Sequence, residues 1–335
     1  MDSAARPARL RTTGEAPMHD TITWPDLRGW HRPLLVVAAV TAPFVLVSLA
    51  GVLLDGRVLV GAPIWAKPFK FAVSIVIYAL TWSWLIAYLP RHRLVRWAAA
   101  IIAAALLIEY VVIVGQVVRG RQSHFNVATP LDAVLWGVMG TSIAVLWLAN
   151  LVVAVFLVRV RIGGRPLTWA VRAGTVISLF GIGMAFMMTR PTTAQSGSMR
   201  GGDFGGLIGA HSVGVVDGGP IMPVTGWSTT GGDLRITHFI GIHALQALPL
   251  VAVLLAHLAR RLPVLGDEVV RTRLVLVASA GYAALTLLTL WQALRGLPLL
   301  SPDGVTLWTA AAIAGLTLAG TVTVIGAGRA RRAAR

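Results

Sequence analysis

The chain has 335 residues, of which 56% are hydrophobic and only 13% charged, with no cysteine and a formal net charge of +16. A soluble domain carries about 25% charged residues. The composition therefore excludes a soluble globular enzyme, a disordered chain and a disulfide-stapled secreted module, and it speaks against nucleic acid as a partner. Of the 29 basic residues only Lys67 and Lys70 are lysines, and the abundance of Arg, Ala and Gly reads as the coding bias of a GC-rich bacterial genome.

Residues 1–33 form a basic tail with Pro7, Pro17 and Pro25. It is read as mostly disordered, with a short interfacial piece around Trp24–Trp30. The first apolar run begins only at Leu34 and lacks the form of a cleavable signal, so it is expected to be retained as a span. A helix needs about 20 apolar residues to cross the hydrocarbon core. Eight stretches reach that length: Leu34–Leu54, Phe69–Leu89, Leu94–Val118, Ala133–Val158, Ala170–Met188, Ile236–Leu258, Leu274–Leu294 and Val305–Ile325. The expected fold class is therefore all-α, one polytopic transmembrane helix bundle over 34–327 whose chief environment is the lipid bilayer. Residues 328–335 read as a basic cytoplasmic tail.

Lys and Arg are retained on the cytoplasmic side of a membrane. With both termini inside, 20 of the 29 basic residues fall in the inner segments and 9 in the outer ones. The expected topology is N-in and C-in, in a bacterial cytoplasmic (inner) membrane.

Inner loops are short, whereas the outer segment 190–235 is long and Gly-rich. Tight-turn punctuation alternates there with apolar anchors such as Val215, Ile221 and Val224, which predicts a folded lid rather than a floppy loop. His124, His211, His238 and His243 all fall on this side. Glu109 is the only acid within a span by these boundaries, and an ionisable residue there is a functional candidate by default. Glu109 and Gln116 share one face of the third span, and His243 and Gln246 lie near one another on the sixth. If those two spans face each other, the four residues build a polar pocket under the lid. The alternative for Glu109 and His243 is hydrogen-bonded helix packing.

Several chemistries compete. Glu109, His243, Gln246 and His238 are the candidate catalytic groups. His124, His211, His238 and His243 offer imidazoles for a metal ion, although His238 and His243 point about 140° apart around a regular helix. A b-type haem held by His243 with His124 or His211 is the other candidate cofactor, and the absence of cysteine excludes thiolate ligation. Ser123, Ser212, Ser228, Asp203, Asp217 and Asp233 supply ingredients for a serine triad, but no nucleophile-elbow spacing is present. Lys67, Lys70, Arg119, Arg121 and Arg235 form a basic rim, with Lys67, Lys70 and Arg235 as contacts for an anionic guest and interfacial anchoring as the alternative for the Trp65–Phe71 stretch.

Three stretches, WAKPFKF at Trp65–Phe71, SHFN at Ser123–Asn126 and GWSTTGGDLRITHFIGIH at Gly226–His243, resemble a group of bacterial multi-pass membrane proteins. The resemblance covers most of the bundle, lid included, and carries over no activity and no site residue. The leading expectation is a membrane-embedded, metal- or haem-dependent enzyme or redox protein acting on a hydrophobic or lipid-like substrate at the outer face. The rivals are a proton-coupled transporter using Glu109 and a non-catalytic subunit of a membrane complex.

Overall fold

The computed structural model describes residues 26–334. The expected disorder of the N-terminal tail falls outside them up to residue 25, and a short 3-10 turn at Leu27–Gly29 leads into the first helix. Among the described residues, ten α-helices make up the rest of the frame. They are α1 (Arg32–Leu54), α2 (Ala66–Ile86), α3 (Arg93–Val118), α4 (Pro130–Leu157), α5 (Arg165–Gly183), α6 (Ala185–Met188), α7 (Thr193–Gly201), α8 (Leu234–Leu258), α9 (Glu268–Leu294) and α10 (Gly304–Ala333). Eight spans are long and apolar enough to cross a membrane, the fifth running from α5 on through α6 and α7. The chain is a multi-pass integral membrane protein.

Side-chain chemistry sets where these helices begin. Prolines stand in the first turn of α1, α4 and α5, where a missing N–H is harmless. The side chains of Thr129, Asp233, Asp267 and Asp303 accept a free first-turn N–H of α4, α8, α9 and α10. Outward faces are apolar, with Leu46 71% and Leu316 74% exposed. Such faces suit lipid and not water.

The main core lies between α1, α2, α3, α4, α5 and α8, around Leu34, Trp82, Ile102, Leu157 and Leu245. The tightest approach is that of α5 to α8, where Gly181 stands against Gly241. A Cβ at Gly181 would lie 2.5 Å from the Ile242 nitrogen and 2.6 Å from the Gly241 Cα.

Two expectations are corrected, and the course of α10 is defined. The third and sixth spans do not pack as a pair: α3 packs on α4, α2 and α1, whereas α8 packs on α5 and α9. The last helix, α10, continues through Ala333. There Arg332 donates to the Pro263 carbonyl and Arg331 approaches Asp267 at 3.9 Å. Finally, α4 starts at Pro130, three residues early, so Asp132 joins Glu109 as an acid within a long helix.

At the end of the bundle where α3 and α5 finish and α2, α4 and α8 begin, the connections form a roof. Strands β1 (Val58–Leu59) and β2 (Ala62–Pro63) make a hairpin whose turn, Val60–Gly61, has φ of 51° and 74°. Positive φ at both turn positions is the hairpin geometry that matches strand twist. The lid proper is folded, as its turn punctuation predicts. Its helix α7 opens with a reciprocal Thr192–Gln195 capping box. Gln195 then clamps the Gly209 backbone through both amide atoms, at 2.9 and 3.0 Å. Strand β3 (Ser212–Val213) pairs with β4 (Gly232–Asp233). Backbone bonds from Val127 to Gly206 (2.9 Å) and from Ile208 to Phe125 (2.8 Å) stitch the lid to the α3–α4 connection.

The α5–α8 contact yields a paired test. Gly181→Ala is expected to lower stability by about 1–3 kcal/mol through overpacking, measured by thermal unfolding in detergent. Gly315→Ala, whose Cβ meets open space, is expected to leave the transition in place.

Candidate functional site

Beneath the roof lies a cavity of about 280 Å³. On α4 its wall runs from Trp136 to Leu146, a depth of about 15 Å at the helical rise. Its lining mixes apolar side chains such as Leu106, Ile143 and Leu146 with Glu109, His124, His211, Lys67, Lys70 and Arg235. His238 and His243 complete the lining on α8.

The WAKPFKF stretch reaches the cavity because Trp65 is fixed first. Its indole donates to Asp55 Oδ2 at 2.8 Å, and its face covers Gly51. Asp55 also takes a side-chain bond from Arg57 at 2.6 Å. That bond, with the indole and the Arg57 backbone N–H, holds its carboxyl well below the usual range. Within the first turn of α2, Lys67 lies over the Phe71 ring at 5.9 Å, within electrostatic reach of Glu109 and Asp217. Lys70 donates to the Thr225 carbonyl at 2.6 Å, and Arg235 to Asp233 and to the Gly226 carbonyl at 2.7 Å. The last two cations thus brace the lid, while Lys67 has no hydrogen-bond partner among the described residues.

Two imidazoles are paired with carboxylates. His124 Nε2 stands 3.3 Å from Glu109 Oε1, and its Nδ1 stands 3.2 Å from Ser123 Oγ. Burial lowers the His124 pKa and nearby Lys67 adds to this, against the opposing pull of Glu109. The second pair is His211 Nδ1 with Asp217 Oδ2 at 2.8 Å. Asp217 further accepts the backbone N–H groups of His211 and Ser212. Burial pushes His211 down to about 4, with the charges of Arg235 and Lys67 acting in the same sense and Asp217 opposing them. For Asp217, burial alone would raise the pKa, but the bonds from His211 and Ser212 outweigh it and hold the carboxyl well below its usual range. The two imidazole rings lie 6.4 Å apart. Glu109 Oε2 is buried with no hydrogen-bond partner among the described residues.

The expected pocket is only partly assembled. Glu109 and His243 do line one cavity, although it separates α3 from α8. Gln116 belongs elsewhere: it donates to Asp132 Oδ1 at 2.9 Å and accepts from Arg119 at 2.6 Å. Gln246 turns toward Thr81, 3.3 Å from its hydroxyl, and does not line the cavity. The four histidines do not converge as a ligand set. His238 Nδ1 is 2.7 Å from the Gly181 carbonyl, and His124 and His211 face their own carboxylates. Among the described residues, no three His, Cys, Asp or Glu side chains gather closely enough to hold a metal ion.

Ser123 and Asp217, visible in the sequence only as loose ingredients, are the partners that matter. The signal for Ser123 is its place beside His124, just beyond the helix that carries Glu109. Asp217 gives no signal until the turns after His211 fold back. Comparison with family models, curated proteins and solved structures returns no match.

The pairing of His211 fixes a pH response. Folded His211 refuses a proton that the unfolded chain takes up near 6.5, so the unfolded state binds more protons between 6.5 and about 4. Acidification across that window therefore destabilises the lid. Buried His124 acts in the same sense, and Asp217 adds to the loss once the pH drops below 3.8. His211→Asn is expected to weaken the acid-induced rise in proteolysis of 190–235, read by limited digestion in detergent.

Proposed function

We propose that this protein binds an anionic, amphipathic small molecule or lipid in the roofed cavity and carries out acid–base chemistry on it. One observation carries the reading: two carboxylate-paired imidazoles and Lys67 line a largely apolar cavity beneath the roof. Ligand sites of this kind pair a largely apolar lining with a few placed polar groups. An anionic head fits against Lys67, and a hydrocarbon body fits the wall along α4. Imidazoles kept neutral by burial retain a lone pair on one ring nitrogen. The basic residues support an orientation with both termini cytoplasmic and the lid outside, in a bacterial inner membrane. The form of the reading that needs a metal ion or a b-type haem is the weaker one, because His124, His211 and His238 each face another partner.

A second reading, proton-coupled transport through Glu109, is favoured by one feature: the buried Oε2 without a partner among the described residues, beside a cavity. It requires a proton flux that acid–base catalysis does not.

Binding of dodecyl phosphate, followed by intrinsic tryptophan fluorescence, tests the first reading. Lys67→Met is expected to weaken it by about tenfold, the scale of one lost charge-assisted bond. Equal affinity in that variant counts against the anion site. In proteoliposomes carrying a pH gradient, Glu109→Gln is expected to leave proton flux unchanged, whereas its loss would favour transport.

A further inference from the structure

The His124 ring is held between a hydroxyl and a carboxylate. Ser123 Oγ lies 3.2 Å from Nδ1, and Glu109 Oε1 lies 3.3 Å from Nε2. A neutral imidazole carries hydrogen on one nitrogen and a lone pair on the other. A carboxylate only accepts, so the hydrogen belongs on Nε2 and the Nδ1 lone pair faces the Ser123 hydroxyl. A nucleophile within hydrogen-bond reach of a base, itself oriented by a third group, is the signature of covalent catalysis. All three residues line the cavity. The next residue, Phe125, is 2% exposed and has φ of 66°. This left-handed backbone is uncommon outside glycine and collects at functional sites. Ser123, His124 and Phe125 all line the cavity.

We infer that Ser123 is the nucleophile of an acyl-transfer site, with His124 as general base and Glu109 as its orienting carboxylate, acting on an acyl ester of an anionic amphiphile. The inference rests on the binding reading above. Ser123 Oγ bonds to the acyl carbonyl carbon while its proton passes to His124 Nδ1. The ester C–O bond breaks, and the departing alkoxide oxygen takes that proton. Water or a second alcohol then attacks the acyl-serine through the same base, releasing a fatty acid or a new ester and restoring Ser123. The apolar wall along α4 accommodates the acyl chain.

The test uses the full chain in detergent and a long-chain alkyl fluorophosphonate, with the labelled peptide mapped by mass spectrometry. The expected result is stoichiometric label on Ser123, its loss in Ser123→Ala, and labelling slowed by about 10²–10⁴-fold in His124→Gln. Fatty acid release is followed in parallel from phosphatidylglycerol vesicles and from dissolved lysophosphatidylglycerol, which separates a bilayer source from a soluble one. Dodecyl phosphate binding is measured on the same samples and is expected to persist in Ser123→Ala. Binding without label, label that persists in Ser123→Ala, or release from neither source overturns the acyl-transfer inference alone. Absence of dodecyl phosphate binding in the unmodified protein overturns the binding reading and the inference with it.

Discussion

The buried carboxylate of Asp132 ties the roofed end of the bundle together. It stands in the first turn of α4 with no exposed surface, and accepts from Gln116 on α3, from Arg119 just beyond it, and from Thr129 at the cap. A buried charge left without such partners would be strongly destabilising. Its bonds therefore fix where α3 stops, where α4 starts and how residues 119–129 span the gap. That connection carries Ser123 and His124, and its residues Phe125 to Val127 hold the lid by backbone bonds. Cavity, roof and candidate site all inherit their positions from one ion-pair network.

The eight spans were legible in the sequence because hydropathy is a one-dimensional property and a bilayer has a fixed thickness. The lid was legible for a similar reason, since Gly-Gly-Pro and Gly-Gly punctuation reports local backbone geometry. Pairing of helices was not. Periodicity tells which residues of α3 share a face, but not that α4 and α2 take that face while α8 stays across a cavity. Gln116 and Glu109 illustrate this, for they lie on one face of α3 and serve different ends. Glu109 meets His124, whereas Gln116 meets Asp132. The Asp132 network itself was hidden by an error of three residues in the start of α4. The His211–Asp217 pair was hidden because its distance depends on loop turns with no periodic signal.

The basic rim looked in the sequence like three equivalent anion contacts. Its members differ because backbone carbonyls compete for cations. Lys70 and Arg235 are drawn to Thr225 and Gly226, adjacent residues of the lid. Glycine at 226 adopts φ of 68°, and a Cβ there would lie only 3.3 Å from Lys70 Nζ, so a side chain would push the lysine away. These two cations fasten the lid to α2 and α8, whereas Lys67 and Arg121 line the cavity itself.

Burial decides the protonation logic of the whole cavity. In water a carboxylate neighbour would make imidazolium the favoured partner, and a His–Glu or His–Asp pair would be an ion pair. Away from water, desolvation penalises the charged ring more than the carboxylate rewards it, and the positive charge of Lys67 tilts the balance further the same way. The roof is therefore part of what holds the two ring pKa values down. By closing over His124 and His211 it keeps the rings neutral, and a neutral ring has a lone pair to offer. The lid is held by backbone bonds to the segment that carries His124, so loosening it would let in water and shift that protonation balance. Folding of the lid and basicity of the site are one equilibrium seen from two sides.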